Sequence, residues 1–157
     1  MSMRTCTACN EVKPIADFPK NGVDKFGAVR HRPDCRECYT IARKVGKKKH
    51  RKFLSNTKHR TGESKLLTLQ DWRDALLHFR GCCAYCGKKQ ARNVILTKEH
   101  VVPVSQGGPT LRTNIIPACT SCNCSKGDTP LLEWYLKHSG FSAERLALIK
   151  RWIGEIQ

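Results

Sequence analysis

The sequence is poor in acidic residues and contains no long apolar run. Only 13 of its 157 residues are Asp or Glu, against 29 Lys and Arg, so the formal net charge is +16. Such an excess of positive charge favours polyanionic partners, nucleic acids above all. A membrane-spanning helix needs about 20 consecutive apolar residues, and none are found. Because the amino terminus also lacks the apolar stretch of a secretory signal, we expect a soluble, cytoplasmic protein.

Cysteine, in contrast, is abundant, with ten residues in a short chain. A chain of this length forms one compact domain or two very small ones, which bury little apolar surface. Such folds commonly need cross-links such as bound metal ions or disulfides for stability, here called staples. Ten cysteines could form disulfides in a secreted protein. Their arrangement in Cys-x-x-Cys doublets and the lack of a secretory signal instead favour metal binding in a reducing compartment. Two pairs of Cys-x-x-Cys doublets therefore predict two structural zinc sites, each closed by four thiolates. The predicted ligands are Cys6, Cys9, Cys35 and Cys38 for one site, and Cys83, Cys86, Cys119 and Cys122 for the other.

The second set of doublets encloses a β-rich segment, residues 94–104, which runs into Ser-Gln-Gly-Gly-Pro. A β-rich run that ends in turn residues predicts a hairpin arm, and Glu99 and His100 then lie on or beside a strand. A short helix should follow Cys122, because Gly127 supplies a stop signal. The expected unit is strand, strand, helix.

This order of residues resembles the HNH endonucleases, in the branch that carries four zinc-binding cysteines. The matching residues are Glu99-His100, Asn114 and Asn123, set between and after the cysteine doublets. The resemblance covers roughly residues 81–127 and implies the ββα-metal fold, hydrolysis of phosphodiester bonds and a catalytic divalent metal. It also implies DNA as the partner.

The same resemblance implies a role for each matching residue. His100 corresponds to the general base, and Glu99 to the neighbouring acidic residue, usually Asp, that helps to hold the metal. Asn114 corresponds to the asparagine that braces the loop orienting the base, and Asn123 to the second metal ligand. Lys126 corresponds more loosely to a basic residue near the substrate phosphate.

These residue types suit phosphodiester hydrolysis. An imidazole such as that of His100 can take a proton from water near neutral pH. A Mg²⁺ or Mn²⁺ ion held by oxygen atoms of Glu99 and Asn123 would stabilise the leaving 3′ oxygen. Hard oxygen ligands suit these ions whereas thiolates suit zinc, so two kinds of metal site are expected, and the four-cysteine sites are structural.

The amino-terminal doublets have spacings found in zinc ribbons and treble clefs. Between them, Phe18, Gly22, Phe26 and Gly27 predict a small hairpin with an aromatic plug. The segment resembles the small zinc modules that precede phage-type HNH domains. Two interpretations remain open for it: DNA contact, which the basic residues 30–32 favour, and a folding staple only.

The chain between the two zinc modules is strongly basic, with nine Lys or Arg and no acid in residues 43–60. A solvated charged segment is the alternative interpretation, but we expect a helix or arm that contacts DNA phosphates. Residues 55–65 are polar and predict a linker. The predicted DNA-binding residues are Arg43, Lys44, Lys47, Lys48, Lys49, Arg51, Lys52 and Lys126.

Helices are predicted on the carboxy-terminal side of this segment. A capping-box-like start at Thr68 precedes a helix whose apolar stripe forms core, and Pro130 and Ser142 begin two further helices. Cys82 and Cys124 are out of phase with the doublets and are expected to be buried thiols. The apolar stripe of the helix that starts at Thr68 consists of Leu69, Trp72, Leu76 and Phe79.

The predicted fold class is a small, zinc-stapled α+β protein in three segments. An amino-terminal zinc module spans residues 1–42, a basic helix or linker 43–65, and an HNH nuclease domain with carboxy-terminal helices 66–157. We expect a metal-dependent DNA endonuclease that nicks one strand, or cuts both as a homodimer. A catalytically inactive zinc-stapled DNA-binding protein and a nuclease that acts on RNA remain alternatives. Small chains of this type resemble those of phages, for which the compartment would be the host cytoplasm.

Overall fold

The computed structural model describes residues 2–43, 47–61 and 66–154, without the side chains of residues 47–49 and 58–61. The chain divides into two compact units, residues 1–44 and 45–157. Within the described ranges, no helix combines the length and the apolar character needed to cross a membrane.

The first unit consists of two small antiparallel sheets and one helix. The sheets pair β1 with β2 and β3 with β4, and Phe18 is its largest fully buried side chain. Phe26 does not join this core, because it lies in the β3–β4 turn with 82% of its surface exposed; the prediction that it plugs the hairpin is wrong. The elements are β1 (Met3–Thr5), β2 (Val12–Pro14), a 3-10 helix (Ile15–Asp17), β3 (Lys20–Val23), β4 (Val29–His31) and α1 (Arg36–Arg43).

The second unit contains the predicted strand, strand, helix arrangement. Strands β5 and β6 pair in antiparallel register from Leu96 opposite Cys119 to His100 opposite Ile115, and α4 directly follows β6. This prediction and the α+β fold class are confirmed. The elements are α2 (Lys47–Thr61), α3 (Leu69–His78), β5 (Leu96–His100), β6 (Ile115–Cys119), α4 (Thr120–Lys126), α5 (Leu131–Tyr135) and α6 (Ala143–Ile153).

Helix α2 corrects the predicted linker. Residues 55–61 belong to this helix, and only 62–65 of the proposed linker lie outside the described residues. His50 and Thr57 are buried and Phe53 is half-buried, so the spacings of three and four residues place all three on one face of the helix. Packing of this face stabilises a helix whose outer residues are polar.

Local capping signals set the starts of the other helices. The Thr68 side chain accepts from the Asp71 amide and the Asp71 carboxylate accepts from the Thr68 amide, which completes the predicted capping box. Ser142 caps α6 by accepting from the Arg145 amide, and α5 begins directly after Pro130. All three predicted starts are confirmed.

Tertiary hydrogen bonds attach the carboxy-terminal helices to β6 and to the loop that contains Tyr85. The Trp152 indole on α6 donates to the carbonyl of Ile115 at 2.9 Å. On α5, the Tyr135 hydroxyl donates to the carbonyl of Tyr85 at 2.7 Å. Both aromatic side chains are at least 96% buried, so each combines apolar burial with a satisfied polar end.

Candidate active site and metal centres

Four cysteines meet where the loop before β5 reaches the start of α4. The ligand atoms of Cys83, Cys86, Cys119 and Cys122 all lie within 4.8 Å of one another, and the Cys86 and Cys119 sulfurs are 3.8 Å apart. A tetrahedron with Zn–S bonds of about 2.3 Å has an edge of about 3.8 Å, so the spacing fits zinc. Burial raises the pKa of the Cys83 thiol to about 11, so its thiolate requires a bound cation for stability.

A histidine that the sequence did not single out contacts this cluster. His138 Nδ1 accepts from the Gly140 amide at 2.9 Å, and Nε2 lies 3.7 Å from the Cys122 sulfur. With Nδ1 acting as acceptor, Nε2 carries the proton and donates to the sulfur. Such outer contacts orient metal ligands and stabilise thiolates. No spacing signal in the sequence marks His138, because the contact depends on how α5 packs.

The second cluster lies in the first unit. Cys6, Cys9, Cys35 and Cys38 again bring their ligand atoms within 4.8 Å of one another. The Cys35 amide donates to the Cys6 sulfur at 3.2 Å, and Lys13 Nζ donates to the Cys35 sulfur at 3.7 Å. These donors offset the negative charge of a four-thiolate site, which fits structural zinc.

The two remaining cysteines belong to neither cluster. Cys82 is half-buried, and its thiol donates weakly to the Arg80 carbonyl at 3.6 Å. Cys124 is exposed, so the prediction of a buried thiol is wrong there. On α4 it follows Cys122 by two residues, and a helix places such positions on different faces.

A cleft of about 340 Å³ in the second unit collects three of the predicted site residues. Glu99 and His100 enter it from the end of β5 and Asn123 from α4, and residues of α2 form part of its lining. The remaining lining residues are Phe53, Asn56, Thr57, Lys98, Pro103, Val104, Gly127 and Asp128.

His100 is oriented by a buried hydroxyl. Its Nε2 lies 2.9 Å from Oγ1 of Thr110, a fully buried residue. The Phe53 ring of α2 lies 6.2 Å from the imidazole, centroid to centroid. A hydroxyl can either donate or accept, so Thr110 accommodates a change in the protonation of this ring nitrogen.

Asn114 lies under the loop that follows His100. Its Oδ1 accepts from the Val102 amide at 2.8 Å, and its Nδ2 donates to the carbonyls of Val102 and Pro109 at 3.0 and 2.9 Å. A Cβ on Gly108 would collide with the Val102 carbonyl oxygen, which accounts for glycine in this turn. The side chain of Asn114 thus links Val102 to Pro109 and fixes the loop between them.

Glu99 forms a buried ion pair with Lys126, and this corrects one prediction. Lys126 is 1% exposed and donates both to Glu99 Oε1 at 2.9 Å and to the His100 carbonyl at 3.0 Å. It therefore presents no surface to a DNA phosphate, contrary to the prediction. Burial raises the pKa of the Glu99 carboxyl, and the hydrogen bond and charge of Lys126 oppose that rise.

Asn123 is oriented by a hydrogen bond to β5. Its Nδ2 donates to Thr97 Oγ1 at 2.8 Å, which leaves the oxygen end of the amide to act as a hard ligand. Glu99 enters the same cleft and has one carboxylate oxygen, Oε1, in the ion pair. These oxygen donors suit Mg²⁺ or Mn²⁺ better than they suit zinc.

Comparison with known protein families assigns this region. The model of the HNH endonuclease family matches residues 83–129, from Cys83 through α4 and Gly127 to Thr129. Residues 83–129 are an HNH endonuclease domain. This HNH domain contains the ββα unit, its four-cysteine cluster and all four residues of the predicted catalytic set.

Two curated relatives match the chain over part of their length. YoqL of the SPbeta prophage of Bacillus subtilis (strain 168), which is assigned to the HNH endonucleases, is 36% identical over 99 residues, covering 58% of this chain and 43% of YoqL. The CRISPR-associated endonuclease Cas9 of Corynebacterium diphtheriae is 37% identical over 65 residues, covering 40% of this chain and 6% of Cas9. The chain thus spans less than half the length of these relatives. The phage-type resemblance is supported by the prophage relative.

One solved structure also matches, the Type II-C Cas9 enzyme of Actinomyces naeslundii. It aligns with 73% of this chain and 16% of its own length, at 22% sequence identity and a TM-score of 0.39. A TM-score this low does not establish a common fold.

The HNH domain has a cleft residue that sequence reasoning missed. Lys98 is half-buried, and its ammonium lies 4.8 Å from the Phe53 ring centroid and 4.6 Å from that of Trp72. Burial lowers the pKa of Lys98 to about 8, while cation–π contacts favour the charged form. Lys98 precedes His100 by two residues on β5, so strand alternation alone could have placed both on one face.

Three of the predicted DNA-binding residues outside the HNH domain have described side chains, and all three are exposed. Arg43 is exposed, with its guanidinium 5.6 Å from the Tyr39 ring centroid. Arg51 and Lys52 are exposed on α2. Lys44 and the side chains of residues 47–49 lie outside the described part of the chain.

Proposed function

We propose that this protein is a metal-dependent DNA endonuclease. The observation that carries the proposal is the meeting of His100, Glu99 and Asn123 in one cleft of an HNH domain. An imidazole and two oxygen-donor side chains are the groups that phosphodiester hydrolysis by water requires. The wider arrangement, a zinc module at 1–42, a basic segment at 43–65 and a nuclease domain at 66–157, is part of the proposal.

In this proposal His100 takes the proton from the attacking water. Its contact with Thr110 at 2.9 Å holds the ring in one orientation, which matters because a general base acts only within hydrogen-bond reach of its proton. Asn114 fixes the loop that follows His100 through its hydrogen bonds to Val102 and Pro109. The fixed loop in turn keeps the His100 backbone in place. The products would carry a 5′-phosphate and a 3′-hydroxyl, as the family resemblance implies.

Glu99 and Asn123 would hold the catalytic Mg²⁺ or Mn²⁺. When bound there, the ion stabilises the charge that develops on the leaving 3′ oxygen. Lys126 keeps Glu99 in place from the protein side, since its ammonium also bonds to the His100 carbonyl. The two four-cysteine clusters would hold zinc with no open position for water, so zinc serves structure only.

DNA is the substrate that the charge distribution favours. The net charge of +16 attracts a polyanion, and the cations Arg43, Arg51 and Lys52 are exposed, as residues that contact phosphates must be. One cleft serves one strand, so a single protomer would nick, and a homodimer could cut both strands.

A plasmid assay tests this function directly. Full-length protein is incubated with supercoiled DNA and Mg²⁺ or Mn²⁺, with and without a chelator of divalent ions that is too weak to strip zinc. We expect nicked or linear product only with the metal. His100→Ala should lower the rate about 10²- to 10⁴-fold, because a general base typically contributes this much.

The outcomes separate the alternatives. A matched control, His78→Gln, changes a histidine that contacts the Leu148 carbonyl at 3.1 Å and does not line the cleft, so it should leave the rate unchanged. Salt-sensitive DNA binding without cleavage would favour the inactive DNA-binding protein, and cleavage restricted to RNA substrates would favour the RNA nuclease. Cleavage by His100→Ala at the wild-type rate would contradict the assigned base.

Lys98 provides a further test of the cleft. Because Lys126 is buried, we expect Lys98 to supply the positive charge that contacts the substrate phosphate there. Lys98→Met, which keeps the apolar stem against Phe53 and Trp72, should lower kcat/KM about tenfold or more, while Lys98→Arg should retain most of it. Equal rates for Met and Arg variants would show that the charge of Lys98 makes no contribution.

A further inference from the structure

The turn of the β3–β4 hairpin presents an aromatic ring to solvent. Phe26 is 82% exposed, the highest fraction among the large apolar side chains of the described residues. The core of this unit is filled by Phe18 and the buried cysteines, so the fold does not use Phe26. Single exposed apolar residues are common, so a role for Phe26 depends on how its ring is held and on which residues surround it.

The turn holds Phe26 in a fixed position. Asp24 Oδ1 accepts from the amides of Phe26 and Ala28, each at 2.9 Å. The Asp24 amide donates to the Ala28 carbonyl at 2.9 Å, and the Gly27 amide to the Asp24 carbonyl at 3.1 Å. Gly27 adopts a φ of +84° that suits glycine. A turn with this many internal bonds presents its tip at little further entropic cost on binding.

The charge around the ring favours a polyanion. Lys20, Lys25 and Arg30 are exposed on the hairpin, and the Lys25 ammonium lies 4.9 Å from the Phe26 ring centroid. Asp24 is the one acidic residue in the sequence from 20 to 32, and its carboxylate is bonded to the turn amides. An apolar ring flanked by cations is complementary to stacked bases bordered by phosphates. It is less complementary to a protein surface that is purely apolar.

We propose that the β3–β4 hairpin is a DNA-binding wedge in which Phe26 inserts between base pairs of a duplex while Lys25 and Arg30 contact the flanking phosphates. Proteins that insert Phe or another apolar side chain into the minor groove unstack a base step and bend the duplex. This inference goes beyond the proposed cleavage reaction, because it concerns binding by the first unit and requires no catalysis.

The test uses the full-length, zinc-loaded chain with His100→Ala, so that DNA stays intact. Duplexes carry 2-aminopurine at successive positions, and fluorescence is excited beyond the tryptophan absorption. The parent should raise the fluorescence at one or a few positions, because unstacking releases 2-aminopurine from quenching. Phe26→Ser should abolish this rise and weaken binding about tenfold, within the range that loss of one base–aromatic stack produces, whereas Phe26→Leu should keep a measurable part of both.

A matched control separates the wedge from general apolar exposure. Val12→Ser changes another exposed apolar residue, 63% exposed on β2 of the same unit, and should alter neither signal. The proposal is overturned if Phe26→Ser binds DNA with the parent affinity and fluorescence, or if the parent binds no DNA. It is also overturned if Phe26→Ser changes only the oligomeric state in light scattering, which would assign Phe26 to a protein contact. Binding is measured here without cleavage, so an inactive enzyme would not affect the result.

Discussion

Replacing Cys119 with Ser should unfold the HNH domain. A structural zinc site contributes about 10–16 kcal/mol to folding in zinc-dependent modules, comparable to or above the whole stability of a typical domain, about 5–15 kcal/mol. Cys119 ends β6 directly before α4, so loss of its thiolate would release both elements. We expect a red shift of tryptophan emission, because all three tryptophans, at 72, 134 and 152, lie in the second unit, residues 45–157, which contains the HNH domain. We also expect one zinc ion per chain in place of two.

The matched control for this prediction is Cys124→Ser. Cys124 is exposed and lies outside both clusters, so its replacement should change neither the emission nor the zinc content. A Cys119→Ser protein that kept native emission and cooperative unfolding would contradict the assignment of this cluster as the staple of the domain.

Replacing Lys126 with Met should have the next largest effect on stability. The ammonium of Lys126 contacts Glu99 Oε1 at 2.9 Å, and the two residues are 1% and 5% exposed. Removal of one partner leaves an uncompensated buried charge, which typically costs about 3–5 kcal/mol. We expect the midpoint of urea unfolding, followed by tryptophan fluorescence, to fall accordingly.

A double variant distinguishes charge from packing. Glu99→Gln with Lys126→Met removes both charges and should recover a measurable part of the loss, because the remaining amide carries no net charge. Lys137→Met, at an exposed lysine of the same unit, should change stability by less than about 0.5 kcal/mol. If the Lys126→Met protein unfolds at the wild-type urea concentration, the ion pair does not stabilise the fold.

The correct sequence predictions rest on local signals. Cys-x-x-Cys doublets, the capping residues Thr68 and Ser142, and the β-rich run before the turn each act over a few residues, so they can be recognised without a fold. The meeting of each group of four cysteines and the starts of α3 and α6 follow from such signals. The resemblance to HNH endonucleases also depends on order along the chain and needs no packing.

The wrong predictions concern residues whose environment comes from distant segments. Lys126 is buried because it meets Glu99 and His100, and a lysine followed by glycine gives no local sign of burial. Residues 55–61 resemble a linker in composition, but α2 is stabilised by a buried face that includes His50 and Thr57. The roles of Thr110 and His138 likewise arise only from tertiary contacts.

The pairing of β5 with β6 has a consequence for how this family of sequences can change in length. Cys119 faces Leu96 and Ile115 faces His100 across the ladder, so the sheet holds the four-cysteine cluster at one end and the proposed catalytic histidine at the other in a fixed register. Insertion of one residue in β5 ahead of Glu99 would exchange the faces of Glu99 and His100, and an insertion in β6 would change the residues that they face. Insertions and deletions should therefore be more frequent outside the ladder, as in the exposed residues 91–93, than within it.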